Sequence, residues 1–158
     1  VLVRLTRFEV LAAALVGVRR RLESWGSAET NKVGNGSFGW QIDIEAACAE
    51  MAAAKALNLY WSGSVNTFKL PDVGEGVEGL QVRHTDRDGG CLIVRPEDKG
   101  HERFLLVTGQ APLFVLRGWL RGDDARQDAF WRDPNGHRPA WFVPQSALRP
   151  VGELEGVA

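Results

Sequence analysis

The spacing of apolar residues changes character near Ser64, and this change limits the chain to folds in which helices come first and strands follow. Upstream, Thr6-Arg7-Phe8-Glu9 has the spacing of a capping box. The residues from there to Glu23 place apolar and basic side chains at helical intervals, which predicts a first helix. Trp25 to Gly39 is rich in Gly, Ser and Asn, including Gly34-Asn35-Gly36-Ser37, and reads as an exposed loop. A second helix is expected from about Gln41 to Leu59. Its alanines, Ala46, Ala47, Ala49, Ala52, Ala53, Ala54 and Ala56, leave it small on several faces, so another element can approach its backbone closely. Downstream of Ser64 come short β-type runs: Val65 to Leu70, Leu80 to Thr85, Cys91 to Arg95, Phe104 to Thr108 and Phe114 to Leu120. Asp88-Gly89-Gly90 and Pro96-Glu97-Asp98 punctuate them as turns. Asp123 is placed to cap a short helix reaching about Trp131, and Ala140 to Pro144 reads as a last strand before a polar tail. The expectation is an α/β fold with a mostly antiparallel or mixed central sheet flanked by helices and preceded by an N-terminal helix.

At 158 residues the chain is long enough to bury a core without disulfides or structural metal. One domain is expected, with a helix and Gly-rich loop over 1–40, a core over 41–150 and a tail over 151–158. A formal net charge of −1 gives no global attraction for nucleic acid, so any such surface must come from local patches. Of the 19 Lys and Arg residues only Lys32, Lys55, Lys69 and Lys99 are lysine. Arginine's flat, permanently charged fork suits phosphate, although a GC-rich genome produces the same bias. Cys48 and Cys91 sit in apolar contexts and read as buried, reduced thiols, which suits a cytoplasmic protein. No signal peptide or membrane span is expected. The apolar run Val10 to Val18 is short, preceded by Glu9 and followed by Arg19-Arg20-Arg21.

The residues that carry chemistry gather around one predicted strand. Side chains alternate along a strand, so Gln81, Arg83 and Thr85 share one face while Leu80, Val82 and His84 share the other. Pro71 precedes Asp72, and that strand begins only eight residues after Asp72, which allows a hairpin bringing its carboxylate beside Gln81. Glu50 lies on the alanine-rich helix with Ala46, Ala47, Ala53 and Leu57 at i−4, i−3, i+3 and i+7, an apolar setting where a charge must be paired or liganded. Asp43, one heptad away, can add charge to the same face. The alternatives are structural: a Pro-Asp-x-Gly turn for Asp72, the polar outer face of a half-buried strand for Gln81 and Arg83, and solvent near Glu50.

These residues together resemble the acidic site of the PD-(D/E)XK nuclease superfamily in a degenerate form. The likeness extends over Ile44 to Leu59, Pro71-Asp72-Val73-Gly74, Gln81-Val82-Arg83-His84-Thr85, Leu92-Ile93-Val94-Arg95-Pro96, Gly118-Trp119-Leu120-Arg121-Gly122 and Val143 to Leu148, which look like small phage and prophage proteins associated with that superfamily. In the family pattern an acidic residue and a lysine stand where this chain has Gln81 and Arg83. The resemblance implies a restriction-endonuclease-like fold and an Mg²⁺- or Mn²⁺-dependent DNA endonuclease, with Holliday junctions as a branched substrate and a homodimer as the working form. It implies Asp72, Glu50 and Gln81 as metal ligands and Arg83 as the brace on the scissile phosphate. A glutamine carbonyl can ligate a hard cation but brings no charge, and arginine can bind phosphate but cannot act as a base. Arg19, Arg20 and Arg21 are candidates for contact with a DNA backbone, or for a solvated helix end.

Two other readings stand beside this one: a nuclease fold that has lost catalysis and serves as a nucleic-acid-binding or protein-interaction module, and a viral structural or assembly protein. His84, His101 and His137 lack metal-ligand spacing, and the Gly34 to Gly39 loop lacks the Lys-Ser/Thr of a phosphate-binding loop. Trp119, Trp131 and Trp141 are expected in the core rather than as base-stacking platforms.

Overall fold

The computed structural model describes residues 1–24, 39–65, 70–75, 79–134, 136 and 138–154. Helix α1 spans Arg7–Ser24 and helix α2 spans Gly39–Leu57. The capping box forms as its spacing predicts. Thr6 N–H donates to Glu9 Oε2 at 2.6 Å, and Glu9 N–H donates to Thr6 Oγ1 at 3.3 Å. The small residues of α2 receive α1 at very short range, with Ala13 and Gly17 as the buried face of α1. A Cβ placed on Gly17 would stand 2.6 Å from both Asp43 O and Ile44 Cα, so the helices meet backbone to backbone there.

The main sheet is mixed. Strands β1 (Leu2–Arg4), β2 (Leu80–Thr85), β4 (Arg103–Gln110) and β5 (Leu113–Arg121) lie in the order β1-β5-β4-β2. β4 and β5 form an antiparallel hairpin with an irregularity between Leu106 and Val107, while β2 runs parallel to β4, Leu80 opposite Arg103 and Thr85 opposite Thr108. A second, smaller sheet contains β3 (Leu92–Val94), β6 (Trp131–Arg132) and β7 (Ala140–Val143), ordered β3-β7-β6.

Each face of the main sheet buries its own apolar cluster. On one face Leu80, Val82, Leu105, Val107, Phe114 and Leu116 pack on α1 and α2. On the other, Phe104, Leu106 and Leu120 meet Leu92, Val94 and Val143 of the small sheet and Ala125 of the short helix α3 (Gly122–Ala125). β4 is buried on both faces and reads as a continuous apolar run, as a central strand should.

Several expectations need correction. β1 has no counterpart among the predicted strands, because three residues carry too little alternation to register. The short helix begins at Gly122, with Arg121 rather than Asp123 in the cap position, and gives way to a 3-10 turn at Asp128–Phe130. Val65 and Leu70 are not in a strand, and residues 66–69 between them lie outside the described residues, as do 25–38 of the glycine-rich loop and His137. Trp119 is buried, with its indole N–H donating to Pro150 O at 3.2 Å, but Trp131 is 40% exposed and has a tilted ring contact with Trp141. Phe8, Leu11, Leu15 and Leu22 form an exposed apolar stripe along α1. Among the described residues no helix is long and apolar enough to cross a membrane.

The helix contact generates the first prediction. Gly17→Ala adds a good helix former, yet its methyl has no room against the α2 backbone. We expect a net loss of about 1–3 kcal/mol in a urea titration. An unchanged or raised midpoint would show that the helices can separate at no cost.

Candidate functional site

Asp72 is held in place by backbone geometry before its side chain does anything. Asp72 N–H and Val73 N–H both donate to Leu80 O, at 2.9 and 3.2 Å, and Leu80 N–H returns a bond of 2.8 Å to Val73 O. These bonds close the base of a hairpin and seat Asp72 against the outer edge of β2. There Asp72 Oδ2 accepts the Val82 N–H at 2.7 Å, so the carboxylate caps an outward-facing donor of an edge strand. Gln81 and Arg83 point to the same side, as strand alternation requires, while Leu80 and Val82 enter the core. The result is a pocket of about 400 Å³ lined by the acids Asp72, Glu97, Asp98 and Glu102 together with Gln81, Arg83 and Lys99, with Arg20 and Ser64 at its back.

Glu50 is buried at 5% exposure, and its partner comes from α1. Arg20 Nη1 donates to Glu50 Oε1 at 2.6 Å and Nη2 to Oε2 at 2.8 Å, a bidentate pair. Arg20 Nε and Nη2 also donate to Ser64 O, at 2.9 and 2.8 Å, and Trp61 Nε1 donates to Glu50 Oε2 at 3.1 Å. Both carboxylate oxygens of Glu50 are therefore committed to protein donors. The two acids still sense one another. Asp72 has its pKa pushed up to about 6, first by burial and then by the negative charge of Glu50, against the opposing pull of the Val82 N–H, Arg83 and Arg20.

Arg83 is fixed from two sides. Its Nη2 donates to Asp98 Oδ1 at 2.8 Å, and its guanidinium carbon lies 4.9 Å from the centre of the Phe104 ring. Asp98 Oδ2 meanwhile accepts the Arg95 N–H at 2.8 Å, which locks the turn that presents it. The Gln81 amide makes one long contact, Nε2 to Leu70 O at 3.4 Å.

The structure thus brings Asp72, Gln81 and Arg83 into one pocket with the Arg20–Glu50 pair behind them. It does not keep Arg19, Arg20 and Arg21 together as a basic surface. Arg19 is exposed beside Glu23, Arg20 turns inward to Glu50, and Arg21 pairs with Asp43 at 2.7 Å, so neither Arg21 nor Asp43 joins the pocket. Arg20 as the partner of Glu50, and Trp61 and Asp98 as supports of the site, are not evident from the sequence. For Arg20 a signal exists: it lies three and seven residues beyond Gly17 and Ala13, on the small-residue face of α1 that meets α2.

Whether these residues suit a hard divalent cation can be judged from their free oxygens. Asp72 has one oxygen on Val82, and among the described residues neither its other oxygen nor the Gln81 carbonyl oxygen takes part in a hydrogen bond. Mg²⁺ commonly uses one or two protein oxygens and completes its shell with water and substrate phosphate, so this pair fits. Glu50 fits less well as a direct ligand, because Arg20 and Trp61 occupy it. Among the described residues no group of three or more His, Cys, Asp and Glu side chains is arranged to hold a metal.

No family model matches the chain, and no curated protein or solved structure shows significant similarity to it.

Two predictions come from this geometry. With side-chain exposures of 16% and 7%, Arg20 and Glu50 form a buried pair rather than a screened surface one. Arg20→Met strands the Glu50 charge and should destabilise the fold by about 3–5 kcal/mol, with the double change Arg20→Met, Glu50→Gln recovering much of it. Additive losses in denaturant would argue against a dedicated pair. The second concerns pH in EDTA. Because the folded pKa of Asp72 is raised, folding binds its proton, and the stability this contributes is full below about pH 4 and lost as pH rises through about 6. Asp72→Asn should therefore stabilise the protein at pH 8, by on the order of 2 kcal/mol, and hardly at all at pH 4. A pH-independent difference would remove this account of Asp72.

Proposed function

We propose that this protein is a divalent-cation-dependent DNA endonuclease of phage type, with the Asp72 pocket as its site and branched DNA, handled by a symmetric dimer, as its substrate. The observation that carries this reading is the pocket itself. Asp72 and the Gln81 amide stand beside Arg83 in a pocket that Glu97, Asp98 and Glu102 also line, with Asp98 paired to Arg83 and Glu102 to Lys99, so oxygens suited to a hard cation adjoin an arginine fork suited to phosphate. The resemblance of Asp72, Gln81 and Arg83 to the PD-(D/E)XK pattern supports the same conclusion.

Asp72 and Gln81 would hold Mg²⁺ or Mn²⁺. When bound, the ion supplies positive charge to the phosphate and makes water a better nucleophile. The remaining work falls to the chain. Arg83 braces a phosphate oxygen from a fork already oriented by Asp98 and Phe104, which lowers the ordering needed on binding. Arginine stays protonated, so Arg83 contributes charge and position and never abstracts a proton. Arg20 and Trp61 hold Glu50 in one orientation behind the pocket.

A second reading has its own support. Glu50 is committed to Arg20 and Gln81 is neutral, so of the three expected ligands Asp72 is the one carboxylate with an oxygen free to meet a cation. That favours a module that binds DNA without cutting it. One experiment separates the two: linear duplex, single-stranded and four-way-junction DNA incubated with Mg²⁺, Mn²⁺ or EDTA, beside Asp72→Ala. We expect metal-dependent cutting, strongest on the junction, that Asp72→Ala abolishes while its circular dichroism is unchanged. Binding without cutting would support the second reading, and neither binding nor cutting would leave a structural or assembly role.

A further inference from the structure

A second concavity, of about 840 Å³, runs along the same strand edge on the side toward the small sheet. Its floor is apolar, made by Ile93 of β3, Leu106 of β4 and Phe142 of β7, and its rim is cationic, with Arg87 and Arg95 joined by Arg83. Arg83 also lines the Asp72 pocket, so the two cavities share a wall. Among the described residues the one acidic side chain lining the groove is Asp86, and Asp98 nearby is already engaged by Arg83 and by the Arg95 N–H. Positive charge is crowded here. Arg95 has its pKa lowered by burial first and by the charge of Arg138 next, with Arg83 adding to this and Glu97 and Asp98 opposing it.

The rim is built rather than loose. Arg87 N–H donates to Thr85 Oγ1 at 3.3 Å and Gly90 N–H to Arg87 O at 3.0 Å, which closes the turn that carries Arg87. Gln145 Nε2 reaches back to Asp88 O at 2.7 Å and Gly90 O at 3.0 Å, and Arg117 pairs with Asp88. The turn is thereby tied to both the 3-10 segment after β7 and to strand β5.

We propose that this groove binds an unpaired nucleic-acid strand, with phosphates on Arg87 and Arg95 and a base face against Phe142, and that where a branched substrate opens at its branch point it delivers the freed strand past Arg83 to the Asp72 pocket. The delivery step rests on the function proposed above; the binding step does not. A duplex keeps its base faces stacked and offers a surface groove only phosphate and base edges, so a recessed apolar floor between arginines gains nothing from it. A single strand uses both parts: phosphate on the cationic rim, base on the apolar floor.

The test is fluorescence anisotropy with a labelled oligothymidylate about 12 nucleotides long, compared with a hairpin duplex of similar length, in EDTA so that cutting plays no part. The single strand should bind more tightly, with affinity falling linearly in log–log salt plots. Arg87→Ala with Arg95→Ala should weaken it at least tenfold and flatten the salt slope by about 0.7 for each phosphate no longer neutralised. Phe142→Leu should weaken the single strand while leaving duplex affinity unchanged. Because Arg87 is exposed, Arg87→Glu alone supplies a variant whose folding is not in question. Equal or tighter duplex binding, no binding at low salt, or an affinity indifferent to Arg87→Glu would overturn the proposal. If groove variants lose binding but the parent never cuts, the groove stands and the nuclease reading falls. If the parent cuts and groove variants cut and bind equally well, the reverse holds.

Discussion

The backbone contact between α1 and α2 at Gly17 is the constraint on which the rest of the site depends. Two helices whose facing residues were leucines would sit about 8–10 Å apart or more, and an arginine on one would reach a different height on the other. Here Gly17, Ala13 and the alanines of α2 remove that spacer, and Arg20, one turn beyond Gly17, arrives directly over Glu50. A buried carboxylate next to a second buried carboxylate would otherwise be strongly disfavoured. The bidentate guanidinium makes the pair tolerable, and its hold on Ser64 O also ties the segment after α2 to the helices.

Strand β2 then converts this helical platform into a surface. It is an edge strand of the main sheet, paired in parallel with β4 on one side and capped on the other by Asp72 through the Val82 N–H. One set of its side chains closes the core over α2; the other set, Gln81 and Arg83, is half-buried and lines the Asp72 pocket, with Arg83 also reaching the second cavity. An edge strand is normally an association hazard. In this protein the exposed edge is occupied by a carboxylate and flanked by arginines, so the same features that protect it from pairing also give it chemistry.

Much of this is readable along the chain. The Thr6/Glu9 capping box, the close approach allowed by the α2 alanines, and the alternation of Gln81 and Arg83 against Leu80 and Val82 are local patterns with a short-range physical cause, and each appears in the structure as its spacing requires. The hairpin base that carries Asp72 to Gln81 is likewise short in sequence. Partners chosen over long separations are not readable in this way. Arg20 reads as one member of a basic triplet, but three successive helical residues point in three directions, and packing sends Arg20 to Glu50 and Arg21 to Asp43 and leaves Arg19 in solvent. Asp98 reads as a turn residue and is one, yet its second oxygen orients Arg83.

The sequence by itself determined the two long helices and the strands from Leu80 to Arg121, the faces they present and the identity of the polar groups along β2, because those follow from 3.6-residue and two-residue periodicities and from local hydrogen bonding. Only the tertiary structure decided that β2 would pair in parallel with β4, that a second small sheet would cover the far face, and that Glu50 would be bound by an arginine thirty positions away. Those outcomes depend on how well whole surfaces pack and on which buried charge finds a partner. Such energies are summed over the fold and leave no periodic trace in any one segment.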